Sequence, residues 1–339
     1  MAGMRWMLVA AGVLLALWGL PAAAAPNVVA EEFQVEAKDD GILLHIRNKH
    51  PEDYYDAKPG RTVLFVHGAT FPGAATFDLA LDGTSWMDFL ARRGYDVYAL
   101  DIRGYGKSTR PPEMNGAAEA HGPAVDGMVA LRDVSKAVDF VLSRRGVERL
   151  VLVGWSWGAT LAGRYASEAS NRVERLVLYA PQWLRDDVAA ADAPKLGAWR
   201  AVKLDGLRER WLREVPEKER RDLIPQGWMT AWLAALGTRA EDGALKVPNG
   251  AVADTLASWA AGKPWWNPER VSAPTLVVQG EWDMETPPAM GLSVFARLTG
   301  APVRRYVMIG EATHTLLLEK NRHHLFRAVH GFLEESFAP

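Results

Sequence analysis

Apolar and polar positions predict strands and helices that alternate along most of the chain. Two short runs at 31–37 and 42–48 flank an Asp-Asp-Gly turn and predict an antiparallel hairpin. Further apolar runs predict strands at 62–67, 96–100, 149–153, 175–179, 275–278 and 305–309. Stretches with helical periodicity lie at 85–93, 133–145 and 159–168, and a last helix is expected over 316–335. This alternation predicts βαβ units and a mostly parallel sheet.

The alternation stops between residues 182 and 267, where no run predicts a buried strand. We interpret 182–267 as a helical insertion between two halves of one core, 25–181 and 268–339. Large aromatic side chains in such an insertion favour an apolar pocket, although packing of the insertion onto the core is the alternative role. Eight of the 14 tryptophans of the chain lie in the insertion: Trp183, Trp199, Trp211, Trp228, Trp232, Trp259, Trp265 and Trp266.

Residues 1–24 have the layout of a secretory signal peptide. Arg5 precedes an apolar run over 6–20, Pro21 ends the run, and small residues with an Ala-x-Ala pattern follow. We expect cleavage after Ala24 and export to a periplasm or to the medium. The alternative is an uncleaved anchor, but the run is shorter than the ~20 residues that a spanning helix needs. No later stretch predicts a span, so we expect no stable membrane insertion after cleavage.

Composition excludes several classes of function. Lys and Arg number 39 and Asp and Glu number 41, a balance that argues against a nucleic-acid partner held by phosphate neutralisation. The chain has no cysteine, which excludes a cysteine nucleophile, an iron–sulfur cluster, a thiolate zinc site and disulfides. The oligomeric state is not indicated by any sequence feature.

The strongest chemical signal is a Gly-x-Ser-x-Gly pentapeptide centred on Ser156. It follows an apolar strand directly and opens a helix, which is the context of a nucleophile elbow. The turn is so sharp that Gly154 and Gly158, two residues on either side, must be small. The same turn directs the backbone N–H of Trp157 towards the reacting oxygen, as one donor of an oxyanion hole.

A serine nucleophile needs a base and an acid that orients the base. In this sequence type the chain order is serine, acid, histidine. Asp283 follows the strand at 275–278, and His314 follows the next strand. We predict Asp283 as the acid and His314 as the base, with Glu281 and Glu285 as rival acids.

The turn after the strand at 62–67 is the second candidate part of the site. Its Ala69 N–H is the predicted second oxyanion donor, with Thr70 as the alternative. Trp155 and Thr70 are candidates for contact with the substrate. His67 is interpreted as structural, and so is the turn at 101–108, whose glycines lack the remaining features of a nucleotide loop.

Taken in order, the segments HGAT, DIRGYGKS, GWSWG, GEWD and EATH resemble the α/β-hydrolase superfamily over essentially the whole mature chain. The resemblance implies an eight-stranded core with helices on both faces and a helical cap inserted after the sixth strand. It also implies Ser156 as nucleophile, His314 as base and Asp283 as acid. No metal or organic cofactor is expected for such a mechanism.

The expected activity is hydrolysis of a small to medium apolar or aromatic ester, so the expected partner is a small-molecule ester. A serine peptidase is one alternative, because the segment SWGATLA is similar to that of proline iminopeptidases. Those enzymes carry an HGGPG turn, whereas residues 67–71 read HGATF here. A carbon–carbon bond hydrolase, a cofactor-free haloperoxidase and a non-catalytic binding module also stay open, because the fold does not fix the chemistry. Epoxide hydrolases and haloalkane dehalogenases use Asp where this chain has Ser156, so we reject those activities.

Overall fold

The computed structural model describes residues 26–54, 58–184, 195–237 and 240–337. The predicted signal peptide, residues 1–24, lies outside the described residues. The strands are β1 Val28–Glu36, β2 Leu43–Pro51, β3 Thr62–Val66, β4 Asp96–Asp101, β5 Leu150–Trp155, β6 Val173–Tyr179, β7 Trp199–Lys203, β8 Ala240–Glu241, β9 Ala244–Pro248, β10 Thr275–Gly280 and β11 Arg304–Ile309. The α-helices are α1 Gly73–Phe77, α2 Trp86–Ala91, α3 Gly127–Arg145, α4 Trp157–Glu168, α5 Leu207–Leu212, α6 Glu217–Leu223, α7 Trp228–Gly237, α8 Gly250–Asp254, α9 Pro288–Arg297 and α10 Arg322–Glu334.

Eight strands form one twisted sheet in the order β1-β2-β4-β3-β5-β6-β10-β11. The six strands from β4 to β11 are parallel, and β2 runs antiparallel to both of its neighbours. Every residue of β3, β4, β5 and β10 is buried, so helices and loops cover both faces of the sheet. The prediction of a mostly parallel eight-stranded α/β sheet is confirmed, including the hairpin at its edge.

The sheet brings the candidate residues together because the strands that carry them run parallel. The carboxyl ends of β3, β5, β6, β10 and β11 all meet at one edge of the sheet. The loops that follow β3, β5, β10 and β11 carry Ala69, Ser156, Asp283 and His314. Residues more than 200 positions apart in the chain therefore share one site.

The last helix begins later than expected. A 3-10 turn spans Leu316–Leu318, and α10 begins only at Arg322. The carboxylate of Glu319 turns back to accept hydrogen bonds from Thr313, so the chain does not run on as one helix. The sequence predicted a single helix from 316 because the leucines continue the apolar pattern of α10.

The insertion between β6 and β10 contains more than helices. Helices α5 to α8 lie there together with a small antiparallel sheet in the order β7-β9-β8. The sequence prediction of helices alone was wrong in this respect. These strands have only two to five residues, and β7 has no buried residue. Their apolar pattern is therefore too weak to stand out.

Several tryptophans of the insertion pack against one another, although Trp211 also lines the cavity at Ser156. Trp183, Trp232 and Trp259 are almost fully buried, and Trp183 contacts Trp266 edge to face. Trp211 packs on Trp232. Within the described residues, no helix is long and apolar enough to cross a membrane.

Candidate active site

Ser156 stands at a sharp turn between β5 and α4. Its backbone has φ 59° and ψ −122°, a conformation with positive φ that a residue with a side chain rarely adopts. The Ser156 N–H donates to the carbonyl of Tyr179 at 2.9 Å, which fixes the turn to the end of β6. The strain presents the side chain at the sheet edge, with 9% of the residue exposed.

The two flanking glycines are required by close backbone approach. A Cβ on Gly154 would lie closer than 3.0 Å to the backbone of Gly158 and Ala159. A Cβ on Gly158 would lie closer than 3.0 Å to the carbonyl oxygens of Val66 and His67. Any side chain at either position would therefore push α4 away from β3 and β5 and open the turn at Ser156.

Asp283 and His314 form a hydrogen-bonded pair. The His314 Nδ1 lies 2.9 Å from the Asp283 Oδ2, and the Asp283 side chain is fully buried. That carboxylate also accepts from Gln279 Nε2 at 2.8 Å, from Thr286 Oγ1 at 2.9 Å and from the Thr286 N–H at 2.8 Å. These donors compensate the burial of the charge and leave Nδ1 of His314 as a donor, so Nε2 is available as a base.

The charge of Asp283 sets the basicity of His314. Burial by itself lowers the pKa of the imidazole, but the adjacent Asp283 carboxylate, by charge and hydrogen bond, more than offsets it. The pKa of His314 is therefore raised above its usual value of 6.5. A raised pKa makes the neutral ring a better acceptor for the proton of a nucleophile.

The backbone of His314 is held from the core. The Trp155 indole N–H and the Tyr179 hydroxyl both donate to the His314 carbonyl, at 3.1 and 2.8 Å. Trp155 is only 3% exposed and stacks on Tyr179. Although Trp155 lines the cavity, its polar atom is used to position the base.

A buried carboxyl holds the loop on both sides of His314. Glu319 accepts from the Thr313 N–H at 3.0 Å, from the Thr313 hydroxyl, and from the Thr315 hydroxyl at 3.3 Å. Burial raises the pKa of Glu319 to about 7. The loop that carries His314 is therefore positioned by Glu319, five residues later in the chain.

The two residues predicted to supply the oxyanion donors both lie beside Ser156: Trp157 follows it in the chain, and Ala69 belongs to the turn at Gly68 that packs against it. Trp157 is the first residue of α4, so its N–H has no partner within the helix and lies at the positive end of the helix dipole. On the other side, Ile102 N–H donates to His67 Nε2 at 3.1 Å, and His67 Nδ1 bonds the Gly68 carbonyl at 2.7 Å. This carbonyl belongs to the same peptide group as the Ala69 N–H, so His67 fixes its direction, in keeping with the structural role predicted for it.

One cavity of about 90 Å³ contains all the predicted groups except Trp157 and the fully buried Asp283. Ser156, His314, Ala69, Thr70 and Trp155 line it. A second cavity of about 250 Å³ adjoins it and also has His314 in its wall. The two share further residues of opposite charge and one aromatic ring: Arg210, Glu285 and Trp211.

Neither rival acid is hydrogen-bonded to His314. Glu285 is half exposed at the cavity mouth, with a carboxylate oxygen 3.6 Å from the Arg210 guanidinium. Glu281 accepts from the Glu311 N–H at 2.9 Å. The hydrogen bond to His314 comes from Asp283.

Sequence reasoning missed four residues that hold the base and acid: Gln279, Thr286, Tyr179 and Glu319. Only Thr286 has a local signal, because an aspartate often accepts from the N–H three residues later in a turn. The remaining three act through contacts made by the fold and carry no pattern of their own.

Comparison with known proteins agrees with this geometry. A family model described as alpha/beta hydrolase fold matches residues 61–321. Lysosomal acid lipase/cholesteryl ester hydrolase of Homo sapiens is 23% identical over 221 residues, which are 65% of this chain and 51% of that protein. Epoxide hydrolase 2 of Siraitia grosvenorii is 31% identical over 146 residues, 43% of this chain and 38% of that protein. The chain thus spans about half, or less, of the length of these curated relatives.

Among solved structures, a thermophilic esterase from Thermogutta terrifontis has a similar fold. Its TM-score is 0.60 at 18% identity, and the alignment covers 89% of this chain and 98% of that one. At such low identity the likeness concerns the fold alone. The match of the family model over most of the chain is decisive, and this chain belongs to the alpha/beta hydrolase fold family.

Proposed function

We propose that this protein hydrolyses a carboxylic ester through an acyl-enzyme on Ser156. The observation that carries the proposal is the strained turn at Ser156, which shares a cavity with a histidine bonded to a buried aspartate. An ordinary strand-to-helix turn needs no positive φ and no base beside it. A non-catalytic binding module would have no use for this strain or for the buried charge.

In the proposed mechanism, Ser156 Oγ attacks the ester carbonyl carbon while His314 Nε2 accepts the hydroxyl proton. The carbonyl oxygen becomes an oxyanion that the N–H groups of Trp157 and Ala69 stabilise. The C–O bond to the alcohol then breaks, and His314 donates its proton to the leaving oxygen. A water molecule, deprotonated by His314, then attacks the acyl carbon. The bond from that carbon to Ser156 Oγ breaks, His314 returns the proton to Oγ, and the acid is released.

The cavity sizes favour a small acyl group. About 90 Å³ lies beside Ser156, and Trp155, Phe71 and Trp211 supply its apolar wall. The adjoining 250 Å³ carries Arg210 and Glu285 and is suited to a more polar alcohol part. The substrate we propose is thus an ester with a short apolar acyl chain and a leaving alcohol of small to medium size.

A serine aminopeptidase is the second candidate, because carboxylates line the outer cavity. Glu214 and Glu285 stand where a substrate ammonium group could be held. Arg210 already pairs with Glu285, however, which leaves Glu214 as the carboxylate without that competition. Epoxide hydrolysis is not proposed despite the epoxide hydrolase relative, because Ser156 stands at the nucleophile position.

Export remains part of the proposal, since residues 1–24 predict a signal peptide. Expression of the full chain in a Gram-negative host, followed by fractionation and N-terminal sequencing, tests it. A mature protein that begins at Ala25 outside the cytoplasm is expected. A cytoplasmic protein that retains Met1 would overturn the proposed export and leave the proposed activity unaffected.

The experiment for the activity is a chain-length series of p-nitrophenyl esters, with proline and alanine anilides beside them and Ser156→Ala as the matched variant. We expect short-chain esters to be hydrolysed and the rate to vanish in Ser156→Ala. Turnover of anilides in preference to esters would move the assignment to a peptidase. No turnover of either class would contradict the proposal and favour carbon–carbon bond hydrolysis.

A further inference from the structure

The inserted segment reaches both residues that are predicted to hold the oxyanion. Arg200 on β7 donates through Nη2 to the carbonyl of Ala69 at 3.0 Å. Asp254, the last residue of α8, accepts at 3.0 Å from the indole N–H of Trp157. One contact brings a cation and the other a carboxyl, and they arrive at opposite sides of the site.

The guanidinium of Arg200 is held by backbone carbonyls rather than by an acid. Its Nη1 donates to the Pro248 carbonyl at 2.6 Å and lies 3.4 Å from Asn249 Oδ1. Its Nη2 also lies 3.4 Å from Thr70 Oγ1. Within the described part of the chain, these contacts with oxygen do not include a carboxylate. The carbonyls of Pro248 and Ala69 therefore share the cation between them.

The Ala69 carbonyl accepts a second bond, from the Tyr105 hydroxyl at 3.0 Å. Two donors on one carbonyl fix the plane of the Ala69–Thr70 peptide and polarise the N–H of Thr70, the alternative oxyanion donor, next to the Ala69 N–H. The preceding peptide is fixed in the same way by His67 on the Gly68 carbonyl. The core thus holds one peptide group of this turn alone, whereas the insertion helps to hold the next.

The contact of Asp254 acts on the other donor. Trp157 is fully buried, and its backbone N–H begins α4. A bond to the far end of the indole restrains the ring, because rotation would cost the buried carboxyl one of its two donors, the other being the Gly127 N–H. Asp254 faces Asp126 at the start of α3 and Arg164 on α4, so it is the point where the insertion meets both helices.

We propose that Arg200 and Asp254 are positioning residues for the oxyanion hole, through which the inserted segment completes the catalytic geometry of the core. The proposal rests on the serine-hydrolase function given above. Neither side chain touches the reacting atoms; each acts through Ala69 or Trp157. The insertion then positions catalytic groups in addition to lining the cavity.

The test compares matched substitutions. Arg200→Gln is paired with Lys203→Gln, an exposed position on the same strand, and Asp254→Asn with Asp205→Asn, an exposed position in the same segment. Arg200→Gln and Asp254→Asn should each lower kcat about 10-fold to 100-fold with KM changed less than threefold. This loss is smaller than the ~10²–10³-fold that removal of an oxyanion donor costs. The two controls should stay within twofold of the unsubstituted enzyme.

A transition-state mimic separates positioning from mere folding. A trifluoromethyl ketone adds to Ser156 Oγ as a hemiketal, the hydroxyl proton passes to His314, and the new oxyanion occupies the hole. Its inhibition constant should rise in the same proportion as kcat/KM falls. Arg200→Lys keeps a cation and one donor, so it should recover part of the loss and serves if Arg200→Gln does not fold.

Three outcomes would overturn the proposal: variants that match their controls, a rise in KM alone, or a loss of kcat without loss of ketone affinity. Failure of the underlying function is distinguishable from these. In that case the unsubstituted enzyme itself would neither hydrolyse esters nor bind the ketone.

Discussion

The core and the inserted segment surround the same cavity with different kinds of interaction. On the core side, Asp283 is fully buried and receives four hydrogen bonds, and the His314 carbonyl receives two more. On the insertion side, Arg210 meets Glu285 of the core only at 3.6 Å, with 42% and 51% of their side chains exposed. A saturated, buried network is rigid, whereas an exposed pair is weak and easily rearranged.

The difference indicates a division of labour. The core fixes the groups that move protons and form the acyl bond, where an error of 1 Å is costly. The insertion supplies Arg210 and Trp211 to the cavity wall, and in our proposal it also positions the oxyanion donors through Arg200 and Asp254. Changes in the core should therefore act on kcat by orders of magnitude, and changes at the insertion's exposed charges should act weakly on KM.

The largest effect is expected from Asp283→Asn. The amide cannot hold His314 in the tautomer that leaves Nε2 free, so kcat should fall roughly 10⁴-fold, as in other serine hydrolases with this change. Glu281→Gln is the matched control and should leave kcat within twofold. Steady-state kinetics on a short-chain ester measure both. Comparable losses in the two variants would mean that the acid has been assigned incorrectly.

Next in size is the effect of closing the space at the elbow. Gly158→Ala places a Cβ against the carbonyls at the end of β3, so the free energy of unfolding should fall by about 1–3 kcal/mol or more. Gly331→Ala, in α10 with open space around it, should instead raise stability by roughly 0.5–1 kcal/mol. Urea denaturation tests the pair. Equal stability of the two variants would contradict the tight packing of the elbow.

A smaller effect concerns pH and stability. Burial raises the pKa of Glu319 and of Asp254 to about 7 in the folded protein. Protonation of each therefore favours the folded state. This contribution is complete below the unfolded pKa values near 4, and it is lost as the pH rises through about 7. This contribution to stability should decline between about pH 4 and 7, and the decline should be less steep in Glu319→Gln than in the exposed control Glu311→Gln. If the urea midpoint changed with pH in the same way in both variants, this result would contradict a raised pKa of Glu319.

The smallest effects belong to the exposed pair at the mouth. Arg210→Gln should change the free energy of unfolding by less than about 1 kcal/mol, because a half-exposed ion pair contributes little. It should raise KM a few-fold for an ester that carries a carboxylate and leave a neutral ester nearly unaffected. A kcat loss above tenfold with the neutral ester would show that the insertion's exposed charges take part in the chemistry.

Predictability from sequence follows the same division. The core strands were recognisable because strands buried on both faces are continuous apolar runs, and Gly154 to Gly158 sits at the end of one. Ser156 could be predicted from the Gly-x-Ser-x-Gly motif between a strand and a helix. Asp283 and His314 could be predicted from chain order and from their places after two strands, with Glu281 and Glu285 left as rival acids. The strands β7 to β9 could not be recognised, because they are short and half exposed. The roles of Arg200 and Glu319 could not be predicted for another reason. Nothing in the sequence indicates that a charged side chain in a polar segment will be buried.

The most direct test of the central claim is covalent labelling with a fluorophosphonate. The Ser156 oxygen displaces fluoride from phosphorus only when His314 removes its proton, so the label reports the assembled pair. We predict a single added phosphonyl group, located by peptide mass spectrometry on Ser156, with labelling absent in Ser156→Ala and at least about 100-fold slower in His314→Ala. Labelling at another serine, or a rate unaffected by His314→Ala, would contradict the account.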